Sequence, residues 1–404
     1  MAATSIAVGI SPSPGPEAFA DAAAQAAGDL AGSCDLCVVF ANKPHHGRLE
    51  PILSAIHRYL APRHLIGCGA GGVVGRGREI ESGPGVAVWA ASLPGVEVST
   101  HHLRTSSLGD GELRLSGIPD PERLGEVLLV LADPHSFRVE ALLAYANATR
   151  PGVPLLGGLA SATAPGSAAL IRGGETLDGG AVACSISGGK VVPLVSQGAG
   201  PVGPEMTITA ATGPHGESPE DAARRIGGVG VIEELAGRPA LERLREAIGS
   251  LESHERALAA RGLMLGIVID ENRPEYERGD FLVRPIIGSD PDAGSLAVSE
   301  PVRVGQTVRL HVRDGASADR DLRETLRLQS LALGPAGTAG ALLFTCNGRG
   351  SHMFDAPDHD AAAIEDLLGA PTAGCFCAGE IGPVGGRNFL HGFTATMAVF
   401  AAPS

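Results

Sequence analysis

Two thiols, a guanidinium, a carboxyl and an imidazole crowd the C-terminal end of the chain, each close to glycine. The apolar run Ala341 to Phe344 leads through Thr345 into Cys346, Asn347, Gly348, Arg349 and Gly350. A second short run, Thr372 to Cys377, is stopped by Gly379, Glu380, Gly382 and Pro383. His391, Phe393 and Thr394 open a last apolar segment. Strands that end side by side in glycine-rich loops bring backbone N–H groups and a few side chains to one rim, where small molecules bind. Gly348 and Gly350 permit positive φ, which would turn N–H groups inward as an anion nest, with Arg349 as a mobile charge beside it. The plainer alternative is a solvent-exposed turn.

Several chemistries fit these residue types. Cys375, Cys377 and His391 do not supply four converging ligands at a zinc spacing, so no metal site and no cofactor is assigned. Cys346 or Cys377 as nucleophile would need His391 or His352 as base and Glu380 as its orienter. Buried cysteines are more often inert packing groups, so the chain is read as no enzyme. Glu380 is expected to hold the pocket together or to meet a ligand's amino group. His391 and Thr394 serve as specificity groups or as caps on neighbouring turns. Further upstream, Arg313 and Asp314 end the strand pattern of TVRLHVRD. Arg313 would fork onto a ligand carboxylate, or else pair with Asp314 or Glu300.

Other signals fail on context. Gly67-Cys68-Gly69-Ala70-Gly71-Gly72 follows a strand but precedes no amphipathic helix, so it is no dinucleotide fingerprint. Cys34 and Cys37 lie inside an apolar strand run and read as packing groups. Asp355, Asp358 and Asp360 are acidic like a calcium loop, yet charge at the start of a helix explains them.

The elements that must position these groups repeat. CDLCVVF, HLIGCGA and GVAVWAAS, then EVLLVLA, VPLLGGL and GAVACSIS, then ALLFTC, TAGCFC and GFTATMAVF follow one plan. Each copy reads strand, polar loop, helix, strand, glycine-rich turn, strand, over residues 35–91, 126–187 and 341–401. Gly67, Gly157 and Gly374 mark the second strand in each. The fold class expected is α/β (α+β): two related domains of mixed sheets flanked by helices, built from these β-α-β-β units. The domains are 1–200 and 229–404, joined by a Gly/Pro-rich linker, 201–228, containing one edge strand from Met206 to Ala210. An antiparallel meander of LMLGIVI, FLVRPIIG, SLAVSE and TVRLHVRD opens the second domain. Ser317 is the expected N-cap of the helix that follows.

Bulk properties narrow the partners. The formal net charge of −14 disfavours nucleic acid and anionic membranes. Seven scattered cysteines suit a reducing compartment. No stretch reaches the ~18 apolar residues of a membrane span, and no secretion signal is read at the N-terminus. A cytoplasmic location is expected.

Taken in order, LIGCGAGGVVGRGREIE, ELAGRPALERL, GDFLVRPIIGSDPDAGSLAVSEPVRVGQTVRLHVRD, CNGRG and GCFCAGEIGPVGGRNFLHGFTATMAVF resemble the FIST proteins. In that family N- and C-terminal domains occur together in bacterial sensors and in a eukaryotic F-box protein. The resemblance implies a sensory module for a small polar ligand such as an amino acid, with output through a separate signalling protein. The F-box relative implies an interaction scaffold as the alternative. The ligand residues expected are Arg313, Asp314, Cys346, Asn347, Arg349, Gly350, Cys377, Gly379, Glu380, His391 and Thr394.

Overall fold

The computed structural model describes residues 3–46, 49–109, 112–213, 228–334 and 337–402. They form two compact units: Met1–Leu108, Leu113–Ser196 and Asp319–Ser404 in the first, Gly109–Glu112 and Gln197–Ala318 in the second.

All three sequence copies lie in the first unit. Their strands are Leu36–Asn42, His64–Ala70 and Val86–Ser92; Val127–Ala132, Leu155–Leu159 and Ala181–Ser187; and Thr338–Cys346, Thr372–Cys377 and Thr394–Ala401. In every copy the first strand runs parallel to the second and antiparallel to the third. The helices Leu49–Tyr59, Val139–Thr149 and His359–Leu368 make the crossovers. One face of each sheet packs into a common core with Phe40, Leu131, Phe344 and Cys377. The other faces meet helices in separate clusters. Cover on both faces explains why these strands read as continuous apolar runs rather than alternating ones.

Between its second and third strands each copy inserts a hairpin, and that hairpin leaves its own sheet. Val73–Gly75 pairs with Thr372–Cys377, Leu170–Arg172 with His64–Ala70, and Glu380–Val384 with Leu155–Leu159. The first copy therefore extends the third, the second extends the first, and the third extends the second. The exchange closes on itself.

Gly67, Gly157 and Gly374 hold one register position, opposite Val39, Val130 and Leu343. A Cβ there would lie 2.6, 1.9 and 2.1 Å from the carbonyl oxygens of those partners. The shared glycine is thus a packing requirement of the repeat.

In the second unit, the order Ala199–Thr212, Thr307–Arg313, Leu263–Val268, Phe281–Asp290, Ser295–Val298, Gly230–Leu235 returns to its first strand, closing an antiparallel ring. This corrects two expectations. The meander holds for three strands, but Thr307–Arg313 pairs with Leu263–Val268 and not with Ser295–Val298. The edge strand expected from Met206 to Ala210 is a 14-residue strand that pairs on both sides, with a bulge between Val202 and Glu205. Closure removes the unpaired edge that a simple meander would leave. Residues 214–227 of the expected linker lie outside the described residues.

Gly374→Ala should cost about 3 kcal/mol, since the added methyl meets backbone that cannot turn aside. Gly28→Ala, with nothing within 4 Å in a helix, should be neutral or gain stability. Urea unfolding of the two variants checks the contrast.

Candidate functional site

Cys346 and Cys377 end neighbouring parallel strands and are register partners. Glu380 opens the exchanged hairpin strand and Thr394 opens the last strand. Glu380 is fully buried. Its Oε2 accepts from the Thr394 amide at 3.1 Å and from the Thr394 hydroxyl at 2.8 Å. The Cys377 thiol donates to Oε1 at 3.5 Å, and the Cys346 thiol lies close enough to feel this carboxyl's charge. Burial raises the Glu380 pKa to about 7 against the pull of those hydrogen bonds. The same burial pushes Cys377 up to about 11. Burial and the neighbouring Glu380 charge push Cys346 up strongly as well. Both thiols are held protonated, and His391 Nε2 is engaged by the Gly382 carbonyl at 3.0 Å. Neither fact favours a thiolate nucleophile.

Arg349 is not a mobile rim charge. It is fully buried, and its Nε and Nη2 each donate to Asp360 at 2.8 Å in a bidentate pair. Its guanidinium carbon lies 5.0 Å from the Phe354 ring centre. Thr345 Oγ1 and His359 Nδ1 complete the shell around Asp360 at 2.8 and 2.9 Å. Arg349 Nη1 has no hydrogen-bond partner. Burial alone would raise Asp360, but Arg349 and His359 hold it below its ordinary range. Burial and the Asp360 charge push Glu79, whose Oε1 accepts from the Ala361 amide, up to about 8.

The expected anion nest is already filled by the protein. Of the two glycines, Gly350 alone takes positive φ, +70°. The amide of Asn347 donates to Cys377 O, that of Gly348 to Cys346 Sγ, that of Arg349 to Cys346 O, and that of Ser351 to Glu81.

The remaining predicted residues divide between the units. Asn347 Nδ2 donates to Ser161 Oγ at 3.0 Å, and Ser161 Oγ donates to Phe376 O at 3.0 Å. Gly379 O accepts from the Leu159 amide at 2.8 Å. Arg313 and Asp314 belong to the second unit. There the Arg313 guanidinium lies over Gly262. Asp314, and not Ser317, caps the helix Gly315–Leu333, accepting from the Ser317 amide at 3.2 Å. Glu300 is paired with Arg284 at 2.8 Å. A groove of about 460 Å³ in the first unit lies away from the rim, walled by Ile6, Val8, Asp29, Arg76 and Thr372.

Sequence reasoning missed Ser161, Gly158, Asp360 and Phe393 as site residues. Gly158 lets Cys377 sit close, since a Cβ there would be 2.7 Å from its sulfur. Phe393 takes φ +62°, rare for a bulky residue, and its ring packs on Gly348. Aligning the copies would have found Ser161, which follows Ala160 at the strand end equivalent to Cys377. The same alignment sets the third copy apart. In the first, Asn42 Oδ1 accepts from the Gly85 amide, and in the second Ser136 Oγ accepts from the Gly180 amide, both at 2.8 Å. In the third, Glu380 takes over that amide, at Thr394, and the position of Asn42 holds Cys346.

The FIST N domain matches residues 35–215 and the FIST C domain residues 240–383. The chain belongs to the FIST family. It is 42% identical over 387 residues to the Mycobacterium bovis uncharacterized protein Mb0898c, covering 95% of each chain. It is also 42% identical over 399 residues to the Mycobacterium tuberculosis uncharacterized protein Rv0628c, covering 98% of this chain and 99% of that one. FIST domains are associated with sensory roles in signal transduction. Among the described residues no helix is long and apolar enough to cross a membrane. The FIST domain limits and the compact units divide the chain differently, because the third copy, C-terminal in sequence, completes the unit begun by the other two.

Removing the Asp360 charge strands a buried guanidinium, so Asp360→Asn should lose about 3–5 kcal/mol in chemical denaturation. Arg349→Met in that background should restore part of it. Burial raises the Glu380 pKa to about 7 in the fold from an ordinary carboxyl value of about 4.5. Its neutral form is the favoured one, so its contribution is full below pH about 4.5 and is withdrawn as pH rises through about 7. Glu380→Gln should therefore gain on wild type between pH 5 and pH 8, by up to about 3 kcal/mol, in paired unfolding curves.

Proposed function

We propose that this chain is a cytoplasmic small-ligand sensor whose ligand docks at Glu380. The observation that carries the reading is a fully buried carboxyl whose bonded donors, Thr394 and the Cys377 thiol, are all neutral. A ligand ammonium group would stabilise its ionised form far more than these donors do. Arg349 Nη1, buried without a hydrogen-bond partner, is the matching donor for a ligand carboxylate. Arg349 and Glu380 feel each other's charge. Together they suit a small zwitterion such as an amino acid, with Asn347 and Ser161 as adjoining polar groups. Phe393 would shift from its strained conformation on binding and pass the change to the surface read by a signalling partner. Leu328 and Leu331, 61% and 78% exposed on the helix Gly315–Leu333, favour that helix as the surface read by the partner.

A thermal-shift screen of amino acids and small metabolites tests the reading. A true ligand at about 100 times its Kd should stabilise wild type by roughly 2.7 kcal/mol. Glu380→Gln should lose most of that gain, and a ligand shift unchanged in Glu380→Gln would remove the site. Arg313→Ala is the companion variant: an unchanged shift there takes Arg313 out of the ligand set.

A further inference from the structure

The strand ends of the three copies can be compared position by position. The register places Asn42 beside Ala70 in the first copy and Cys346 beside Cys377 in the third. One step beyond the paired residues Ala132 and Leu159, the second copy has Asp133 and Ala160. Of the three, the third copy alone carries a thiol at both positions. The polar residues at the first position elsewhere are tied up: Asn42 holds the Gly85 amide, and Asp133 accepts from Ser136 Oγ at 2.6 Å. In the third copy the Cys377 thiol donates to Glu380, whose charge the neighbouring Cys346 thiol also feels.

Neighbouring strands lie about 4.8 Å apart. That spacing falls inside the roughly 4.4–6.8 Å that separates the Cα atoms of a disulfide, and bringing the Cβ atoms to the roughly 3.5–4.5 Å it also needs requires the two strand ends to draw slightly together. The two thiols also differ in access. Cys346 is half-buried beside exposed Asn347, whereas Cys377 is buried behind it. Access therefore orders the pair, with Cys346 meeting peroxide and Cys377 resolving; because burial holds both thiols protonated, the oxidation runs slowly, through the small thiolate fraction.

We propose that Cys346 and Cys377 form a reversible disulfide on exposure to hydroperoxide, covalently closing the Glu380 site. In the first step peroxide oxygen transfers to the Cys346 sulfur, leaving a sulfenic acid and releasing water. In the second the Cys377 sulfur attacks the Cys346 sulfur while Glu380 accepts the Cys377 proton. The S–O bond breaks, and the departing hydroxide takes that proton as water. Two thiols give up two electrons, one hydrogen peroxide is reduced to two waters, and Glu380 ends unchanged. Thiol reductants reverse the bond by exchange. The consequence, that oxidation shuts a ligand site, rests on the function proposed above; the disulfide does not.

The full-length protein is exposed to hydrogen peroxide under native conditions, then denatured, alkylated and mapped by mass spectrometry. The expected result is loss of two of the chain's seven alkylatable thiols, with a Cys346–Cys377 cross-linked peptide that dithiothreitol abolishes. Cys346→Ala should keep every remaining thiol free. Three outcomes overturn the proposal: all seven thiols still alkylating, Cys346 proceeding to sulfinic acid with Cys377 free, or a bond that excludes Cys346. Cys68 and Cys375, which also interact, are the control pair for the last. Failure of the ligand reading would show separately, as unchanged melting of the reduced protein across the metabolite screen.

Discussion

The exchange of hairpins among three sheets is the constraint on which the first unit depends. No copy completes its own sheet, and each supplies the strand its neighbour lacks. Backbone bonds lock the crossing point: the Gly71 amide to Phe376 O, the Phe376 amide to Gly72 O, the Ser161 amide to Gly69 O, and the Ala378 amide to Leu159 O. These bonds join strand ends from all three copies at the place where Cys377 and Glu380 lie. A side chain mounted there is held by sheet on several sides, the kind of support that fixes a site's geometry. Three residues back along each second strand, Gly67, Gly157 and Gly374 are required for a different reason, the carbonyl of the copy's own first strand.

On this near-symmetric frame the chemistry comes from broken symmetry. Asn42 and the Asp133–Ser136 pair spend their polar atoms on backbone amides. In the third copy that duty moves to Glu380, brought in from the second strand's side, and two thiols remain beside it. The Arg349–Asp360 pair belongs to the same departure, since its place is taken by His45 in the first copy and Ser136 in the second. A buried ion pair contributes little net stability over a well-packed apolar substitute. Its effect is to fix the loop Cys346 to Gly350 in one conformation, with Thr345 and His359 gripping the same carboxylate.

Much of the frame was legible because strands covered on both faces leave long apolar runs, and the repeat made those runs comparable. The hairpin exchange was not legible, for short strands such as Val73–Gly75 carry no signal of which sheet they join. Of the strand Ala199–Thr212 only the stretch from Met206 to Ala210 is legible, because the glycines and prolines before it mark a bulge as readily as a linker. At the site, residue types near glycine pointed to Cys346, Cys377 and Glu380, but the role of Arg349 was misjudged. Its partner Asp360 is on a helix, and sequence proximity alone cannot tell a charge facing solvent from one turned inward. Arg313 illustrates the opposite problem: strand alternation gave its face but not the compact unit to which it belongs.

Phe393 and Glu380 together suggest how such a frame becomes responsive. A bulky residue at positive φ costs of order 1–3 kcal/mol and persists only where its surroundings impose it. The equivalent positions are Pro84 and Gly179, the latter a glycine at φ +154°. Phe393 bears that strain next to a carboxyl whose pKa burial raises to about 7. Each is a cost the folded state carries in the absence of a partner, and a cation reaching Glu380 would relieve the second directly. If its arrival also displaced the ring from Gly348, it would relieve the first. A ligand shifts an equilibrium only by its differential affinity for two states. In the sensor proposed here the two states would differ in a backbone strain, at Phe393, and in a proton, at Glu380.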